Sequence, residues 1–139
     1  MSKHCETFEH TADVGLKASA DTLGELFEAL AEGLADFICR REQVKTKETI
    51  TIEARGDDIE ALAVEFLWKI MDTIQTNRKA VAAVRVMKIE PNLVHAQVDC
   101  EPLNPARHET GTEVKAVTYH MLEVREVEGR WAGQVLLDI

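Results

Sequence analysis

Three carboxylates near the two ends of the chain offer the clearest chemistry in this sequence. Asp138 is the penultimate residue, and the α-carboxylate of Ile139 follows it directly. If Asp13 folds against them, three anionic groups converge, and such groups repel one another unless a cation neutralises them. Oxygen-only ligands favour hard ions such as Ca²⁺ or Mg²⁺. Spacing alone leaves an alternative open, in which the chain end is solvated and Asp13 is a turn residue.

Histidines offer a second kind of metal site, and their spacing supports it less. His10, His108 and His120 do not follow the spacing of a known zinc motif. Histidines that stand alone are mostly surface or hydrogen-bonded residues. His108 follows Arg107 in a polar segment, where the two side chains either contact a protein partner or are simply solvated.

A polar cluster in the last third of the chain is the third candidate. Residues 115–120 read KAVTYH and contain the only tyrosine of the protein. Lys115, if it reaches Asp13 or Asp138, is the natural counter-charge of an acidic pocket. The alternative is an edge segment with a hydrogen-bonded hydroxyl. A metal-dependent hydrolase that uses Asp13 and His120 is a further alternative.

Two amphipathic helices are predicted from apolar spacing. Over residues 22–39 and again over 58–76, apolar side chains recur at intervals of three and four, which traces one face of a helix. Thr22 followed by Glu25 forms a capping box at the start of the first helix. Asp58 supplies a cap for the second. Each helix therefore covers a sheet with one apolar stripe.

Alternating apolar residues predict the strands. They mark residues 14–20, 49–54, 81–89, 93–100, 121–127 and 131–137, the last four as two hairpins. The chain then reads as one α+β domain over residues 1–139, a sandwich of two helices packed on a mixed, largely antiparallel sheet. Residues 101–113 form a long polar loop, and loops of that length in a small domain are often functional.

Composition narrows the function classes. The 139 residues carry 16 Lys+Arg against 25 Asp+Glu, which gives a net charge of −9. We therefore expect the protein to bind a basic partner or a cation and not to bind nucleic acid directly. No apolar run reaches the roughly 18 residues of a membrane span, and the polar N-terminus predicts a cytoplasmic protein. The three cysteines form no CxxC pair and read as reduced thiols. No GxSxG or glycine-rich phosphate loop is present.

Three motifs in order along the chain resemble the archease family. They are residues 10–15 (HTADVG), residues 115–120 (KAVTYH) and the terminal residues 137–139 (LDI). The helix start at residues 22–27 and the loop at residues 102–108 (PLNPARH) also fall where that family has its first helix and its loop before the lysine motif. Each motif alone is weakly specific, and the ordered set is strongly specific.

The resemblance implies a small accessory protein and not an enzyme. Archease-like proteins promote guanylylation and multiple turnover of the GTP-dependent, RtcB-type tRNA-splicing ligase, and are also described as chaperone-like modulators of a tRNA methyltransferase. The metal site of the family carries over onto Asp13, Asp138 and Ile139, with Ca²⁺ as the usual ion and Mg²⁺ or Mn²⁺ as alternatives. Lys115 matches a lysine needed for activity, and His120 belongs to the same motif.

Two positions depart from the family pattern. Cys100 stands where the family commonly has a glycine, and Asn104 replaces a common aspartate in the loop that contains Arg107 and His108. If that loop touches the ligase, the charge of the contact is altered here.

Overall fold

The computed structural model describes residues 3–10 and 13–139. Within these residues the chain forms seven strands, two α-helices and one 3₁₀ turn. In chain order they are β1 (His4–His10), β2 (Asp13–Ala20), α1 (Leu23–Ile38), the turn Arg41–Gln43, β3 (Glu48–Arg55), α2 (Ile59–Gln75), β4 (Lys79–Glu90), β5 (Leu93–Pro102), β6 (Ala116–Val127) and β7 (Arg130–Asp138).

The strands form two sheets. One has the order β1-β2-β7-β6 and the other β3-β5-β4. This confirms the α+β class, and every strand pair among the described residues is antiparallel. Strand β1 is missing from the sequence prediction because HCETFEH has no regular apolar alternation. It is an edge strand, and one of its sides has no neighbour to bury it.

Both predicted helices are confirmed, and their caps explain where they begin. The side chain of Thr22 accepts the Glu25 N–H (3.1 Å), and that of Asp58 accepts the Ala61 N–H (2.8 Å). The two helices meet in the core, where the rings of Phe27 and Phe66 stack with centroids 5.6 Å apart. Within the described ranges, neither helix is long and apolar enough to cross a membrane.

Helix α1 covers the open edge of β4 with carboxylates. Glu32 accepts the Val84 N–H (3.0 Å) and Glu28 accepts the Val86 N–H (2.8 Å). Lys3 pairs with the same two glutamates, at 3.2 Å from Glu28 and 3.1 Å from Glu32. Unpaired strand edges attract other strands, so these side chains close the edge of β4.

Helix α2 does the same for the start of β6 with neutral side chains. The indole N–H of Trp68 donates to the Val117 carbonyl (3.1 Å). The amide of Gln75 both donates to the Val114 carbonyl and accepts the Val114 N–H, each at 2.8 Å. The last residue of α2 therefore fixes the segment that leads into Lys115 and β6.

Candidate functional site

Two of the three predicted carboxylates lie side by side. In the antiparallel pairing of β2 with β7, Asp13 is directly opposite Asp138, and Asp138 is in turn opposite Ala116 on β6. Directly opposed residues point to the same face with their Cβ atoms about 5 Å apart. The Lys115 N–H donates to the Asp138 carbonyl (2.7 Å). The sheet register thus brings Asp13, Asp138 and the start of the lysine motif to one tip, which we call the acidic tip.

The acidic tip lies on the sheet face that turns away from the helices. Leu16 is fully buried beneath α1, and because side chains alternate along a strand, Asp13 and Gly15 point the other way. Phe8 of β1 is directly opposite Gly15, and its ring lies across that glycine. A Cβ added to Gly15 would stand 2.1 Å from two carbons of the ring. Leu136, opposite Gly15, is 0% exposed. A small apolar cluster therefore supports the acid pair from one side.

The acid pair has no basic counter-ion among the described residues. Asp13 is half-buried and Asp138 is exposed, and neither makes an ion pair with a lysine or arginine there. Lys115 is exposed, and its link to the tip in the described part of the chain is the backbone hydrogen bond to Asp138. Its proposed role as the counter-charge of the pair stays a prediction. Two adjacent carboxylates without a cation repel, and a bound cation relieves that repulsion.

The donor set of the acidic tip suits a hard divalent ion. Asp13 and Asp138 offer carboxylate oxygen atoms, and Ile139, the third residue of the predicted site, follows Asp138 directly in the sequence. No cluster of three or more His, Cys, Asp or Glu side chains that would hold a metal occurs in residues 3–10 and 13–139. Two side chains therefore need a third ligand from the main chain or solvent, and the Ile139 carboxylate stands in the right place in the sequence.

The three histidines of the zinc alternative are placed differently. His108 is 2% exposed and bound to a glutamate inside the long loop, whereas His120 is exposed on β6. The side chain of His10 lies outside what the structure describes. The described residues thus give no support to a zinc site made from these histidines.

A buried carboxylate organises the long loop. Glu101 is 1% exposed. Its carboxylate accepts hydrogen bonds from the Lys45 N–H (2.7 Å), from the His108 Nε2–H (2.9 Å) and from the Arg107 guanidinium. The backbone N–H of Lys45 is the main cause that lowers the pKa of Glu101 to about 2, with His108 and Arg107 adding to it. Sequence reasoning missed this residue, although it ends a clearly alternating strand.

The hydrogen bonds of His108 determine which of its ring nitrogens carries the hydrogen. The Asn104 N–H donates to Nδ1 (2.9 Å), so Nδ1 carries no hydrogen and Nε2–H is the donor to Glu101. The imidazole is therefore neutral and enclosed, contrary to the expectation of a side chain that contacts a partner or solvent. Arg107 is partly exposed, and its guanidinium is held by Glu101 and by the Gln43 carbonyl (3.2 Å).

The two departures from the family pattern are both accommodated away from the acidic tip. Asn104 accepts the Ala106 N–H through Oδ1 (3.0 Å), a turn that an aspartate oxygen makes equally well. Cys100 is fully buried on β5, and burial raises the pKa of its thiol. Neither residue belongs to the Asp13–Asp138 row.

Strand β6 carries an irregularity that the sequence did not reveal. Thr118 is opposite Leu136 and Glu123 is opposite Gln134, so four residues of β6 face a single position of β7. Met121 has φ 57°, a conformation uncommon for a residue with a side chain. Tyr119, which the KAVTYH motif contributes, is 58% exposed in this bulge. His120, the next residue of the bulge, is exposed as well.

Comparison with known proteins identifies relatives along the whole chain. Residues 5–139 match the Archease protein family (MTH1598/TM1083). The protein named Protein archease of Pyrococcus abyssi is 36% identical over 141 residues, with 99% of each chain covered. Its counterpart in Thermococcus kodakarensis is 36% identical over 138 residues, covering 96% of this chain and 97% of its own.

Solved structures agree with the fold. The solution structure of Methanobacterium thermoautotrophicum protein 1598 matches with a TM-score of 0.73 and 26% identity, covering 97% of this chain and 98% of its own. A crystal structure of a Thermotoga maritima protein, described as an archease and possible chaperone, matches with a TM-score of 0.60 and 21% identity over 96% of each chain. The second likeness concerns the fold alone.

Proposed function

The chain belongs to the archease family, and we propose that it is an accessory activator of a GTP-dependent, RtcB-type tRNA-splicing ligase. In this role it promotes guanylylation of the ligase and its repeated turnover. The observation that carries the proposal is the register that sets Asp13 opposite Asp138. It builds the acidic tip from two of the three motifs on which the resemblance to ligase-activating proteins depends.

A divalent cation at the acidic tip is part of this proposal. Asp13, Asp138 and the Ile139 carboxylate would hold it, with Ca²⁺ favoured by the all-oxygen donor set and Mg²⁺ or Mn²⁺ as alternatives. When bound, the ion would neutralise the repulsion between the two adjacent carboxylates at the end of the sheet.

The chain's own residues would act on the ligase by binding one of its conformations. A protein that binds the guanylylation-competent conformer more tightly raises the population of that conformer by the difference in affinity. Lys115 directly precedes β6 and donates its N–H to Asp138 of the acidic tip, and His120 lies farther along β6 in the exposed bulge. They are the side chains placed to touch the ligase there. The net charge of −9 suits a basic RNA-binding face.

A guanylylation time course tests the proposal. The ligase is incubated with GTP and divalent metal, with and without this protein, and ligase–GMP is quantified. We expect Asp13→Asn and Asp138→Asn to abolish most of the stimulation while the thermal midpoint stays near that of the wild type. Asp57→Asn, which removes a similar charge from an exposed position outside the tip, is the matched control and should stimulate fully.

The chain end gives an independent arm of this experiment. Because Ile139 is proposed to bind through its carboxylate, adding residues after it should remove stimulation without unfolding the domain. Full stimulation by a C-terminally extended protein would count against the third ligand. Phosphoester turnover by the purified protein without a ligase would favour the metal-dependent hydrolase instead.

A chaperone-like role is the second candidate function. It is favoured by the description of the Thermotoga maritima relative as a possible chaperone. In that case stimulation of a tRNA methyltransferase, or its protection from aggregation, would be kept in Asp13→Asn and Asp138→Asn. If these variants lose their effect on the methyltransferase as well as their stimulation of the ligase, the two functions depend on one site.

A further inference from the structure

Strand β1 has a cleft along its open edge. It is the terminal strand of its sheet and pairs with β2 on one side only. A cleft of about 590 Å³ is lined by residues 5–7 of β1, by the second half of α1 and by the loop around Gly111. Because successive side chains of a strand point to opposite faces, a cleft that reaches three consecutive residues runs along the backbone edge.

A second cavity continues the cleft toward the start of the strand. It measures about 280 Å³, is lined by residues 3–5, and shares Cys5, Gly33 and Asp36 with the first. The two together follow five consecutive residues, a length of about 16 Å in an extended chain. The larger volume falls within the range of roughly 300–1,000 Å³ that binding clefts have. We call this composite the β1 groove.

The edge of β1 is treated differently from the edges of β4 and β6. Helix side chains cap those two edges, through Glu28 and Glu32 on β4 and through Trp68 and Gln75 at the start of β6. Among the described residues, no helix side chain hydrogen-bonds the backbone of β1. Its outward N–H and C=O groups therefore face the groove and are available to another extended chain.

The charges of the groove select a basic occupant. Glu6, Glu32, Asp36 and Glu109 line the groove, against Lys3, Arg40 and Arg41. The three cations are paired already, Arg40 with Glu109 (3.8 Å) and both Lys3 and Arg41 with Glu32 (3.1 and 3.5 Å). Glu6 and Asp36 pair with no lysine or arginine among the described residues, so lysine or arginine side chains of an added strand find counter-charges there.

We infer that the β1 groove binds an extended segment of a partner protein, with lysine or arginine at alternate positions, as a fifth strand beside β1. Main-chain hydrogen bonds to the edge would give affinity, and the acidic walls would give specificity. This site goes beyond the proposed ligase activation and needs no metal. Its footprint, residues 3–7 with Asp36, Arg41 and Glu109, is separate from the Asp13–Asp138 row.

Nuclear magnetic resonance titration of the full chain with a designed peptide tests this inference. The probe is the acetylated and amidated peptide Lys-Thr-Lys-Val-Lys-Thr, and the matched peptide carries Glu at each Lys. We expect the basic peptide to shift the amide signals of residues 3–7 and to slow their hydrogen exchange, and the acidic peptide to do neither. Binding should weaken as salt is raised from 50 to 300 mM, in the range where the Debye length falls to about 6 Å.

Two neutral substitutions in the groove complete the test. Asp36→Asn with Glu109→Gln should raise the dissociation constant about fourfold, since each exposed charge pair contributes a factor of about two. Glu60→Gln with Glu65→Gln, on exposed positions of α2, is the control and should leave it unchanged. Asparagine keeps the oxygen that accepts the Arg41 N–H (3.1 Å), so the fold is preserved.

Several outcomes would overturn the inference. These are no binding of the basic peptide, equal binding of the acidic peptide, shifts confined to other strands, or no effect of the groove substitutions. Concentration-dependent self-association that broadens the same signals without peptide would assign the groove to a second copy of the chain instead.

Discussion

Replacing Gly15 by alanine should damage the acidic tip through a clash with one identified ring. An ideal Cβ at Gly15 stands 2.1 Å from two carbons of Phe8, where ordinary carbon contacts need about 3.5 Å. The ring must therefore move by about 1.5 Å. Overpacking of this kind costs about 2 kcal/mol. For a domain of this size the thermal midpoint should fall by about 6 °C.

A double-mutant cycle assigns the cost to that contact. In a Phe8→Ala background the clash is gone, so Gly15→Ala should cost close to nothing there, which gives a coupling energy of about 2 kcal/mol. Calorimetric unfolding of the four proteins supplies the energies. Gly24→Ala is the control, because its nearest neighbour would be a Val86 methyl carbon at an ordinary 3.5 Å. It should be neutral or slightly stabilising, since alanine is the better helix former.

The reasoning would be refuted if Gly15→Ala cost the same free energy with and without the Phe8 ring. A second readout connects the cycle with function. Because Asp13 is two residues from Gly15 on the same sheet face, the displaced ring should also weaken Ca²⁺ binding, and Phe8→Ala should restore part of it.

The other predictions concern the lysine motif, the loop carboxylate and a helix cap. Lys115→Ala should reduce ligase guanylylation several-fold while shifting the thermal midpoint by less than about 2 °C, since an exposed substitution changes stability little. Glu101→Gln should destabilise the protein at neutral pH. Since the folded pKa of Glu101 is about 2, the contribution of its carboxylate is complete above the ordinary value of 4.5 and is lost as the pH falls toward 2. The wild type should therefore lose its advantage over the variant within that window in urea titrations. Asp58→Ala removes the cap of α2 and should cost about 1 kcal/mol in the same titrations.

Local signals were enough to predict the helices and most strands. The helices carry full apolar stripes and side-chain caps, and the central strands alternate, because each of these elements buries one face along its whole length. Strand β1 lacks such a stripe, since it is an edge strand with mostly polar residues on both faces. Its existence depends on pairing with β2, and a pairing partner is not encoded in the local pattern.

The candidate site was predictable only in part for the same reason. In the sequence, Asp13 and Asp138 are separate residues that lie 125 positions apart. Their juxtaposition was expected from the resemblance, and the strand register now supplies it for the two side chains. The Glu101–His108 pair was missed because both types are usually exposed, and only the fold of the loop buries them.

The pairing of Arg40 and Arg41 shows a similar limit. Arg40 pairs with Glu42, two residues away, and with Glu109, and Arg41 reaches the Ala82 carbonyl on β4. Apart from Glu42, these partners lie in distant parts of the sequence, so the local pattern around the two arginines does not reveal the β1 groove that they line.

A calcium titration followed through the carboxyl ¹³C signals of the aspartates tests the central claim most directly. If the acidic tip binds a divalent ion, the side-chain signals of Asp13 and Asp138 move together and saturate, and the signal of the Ile139 carboxylate follows the same curve. Asp57, an exposed aspartate outside the tip, should stay unchanged in the same spectra. Unchanged signals from Asp13 and Asp138, or shifts spread evenly over all aspartates, would contradict the account.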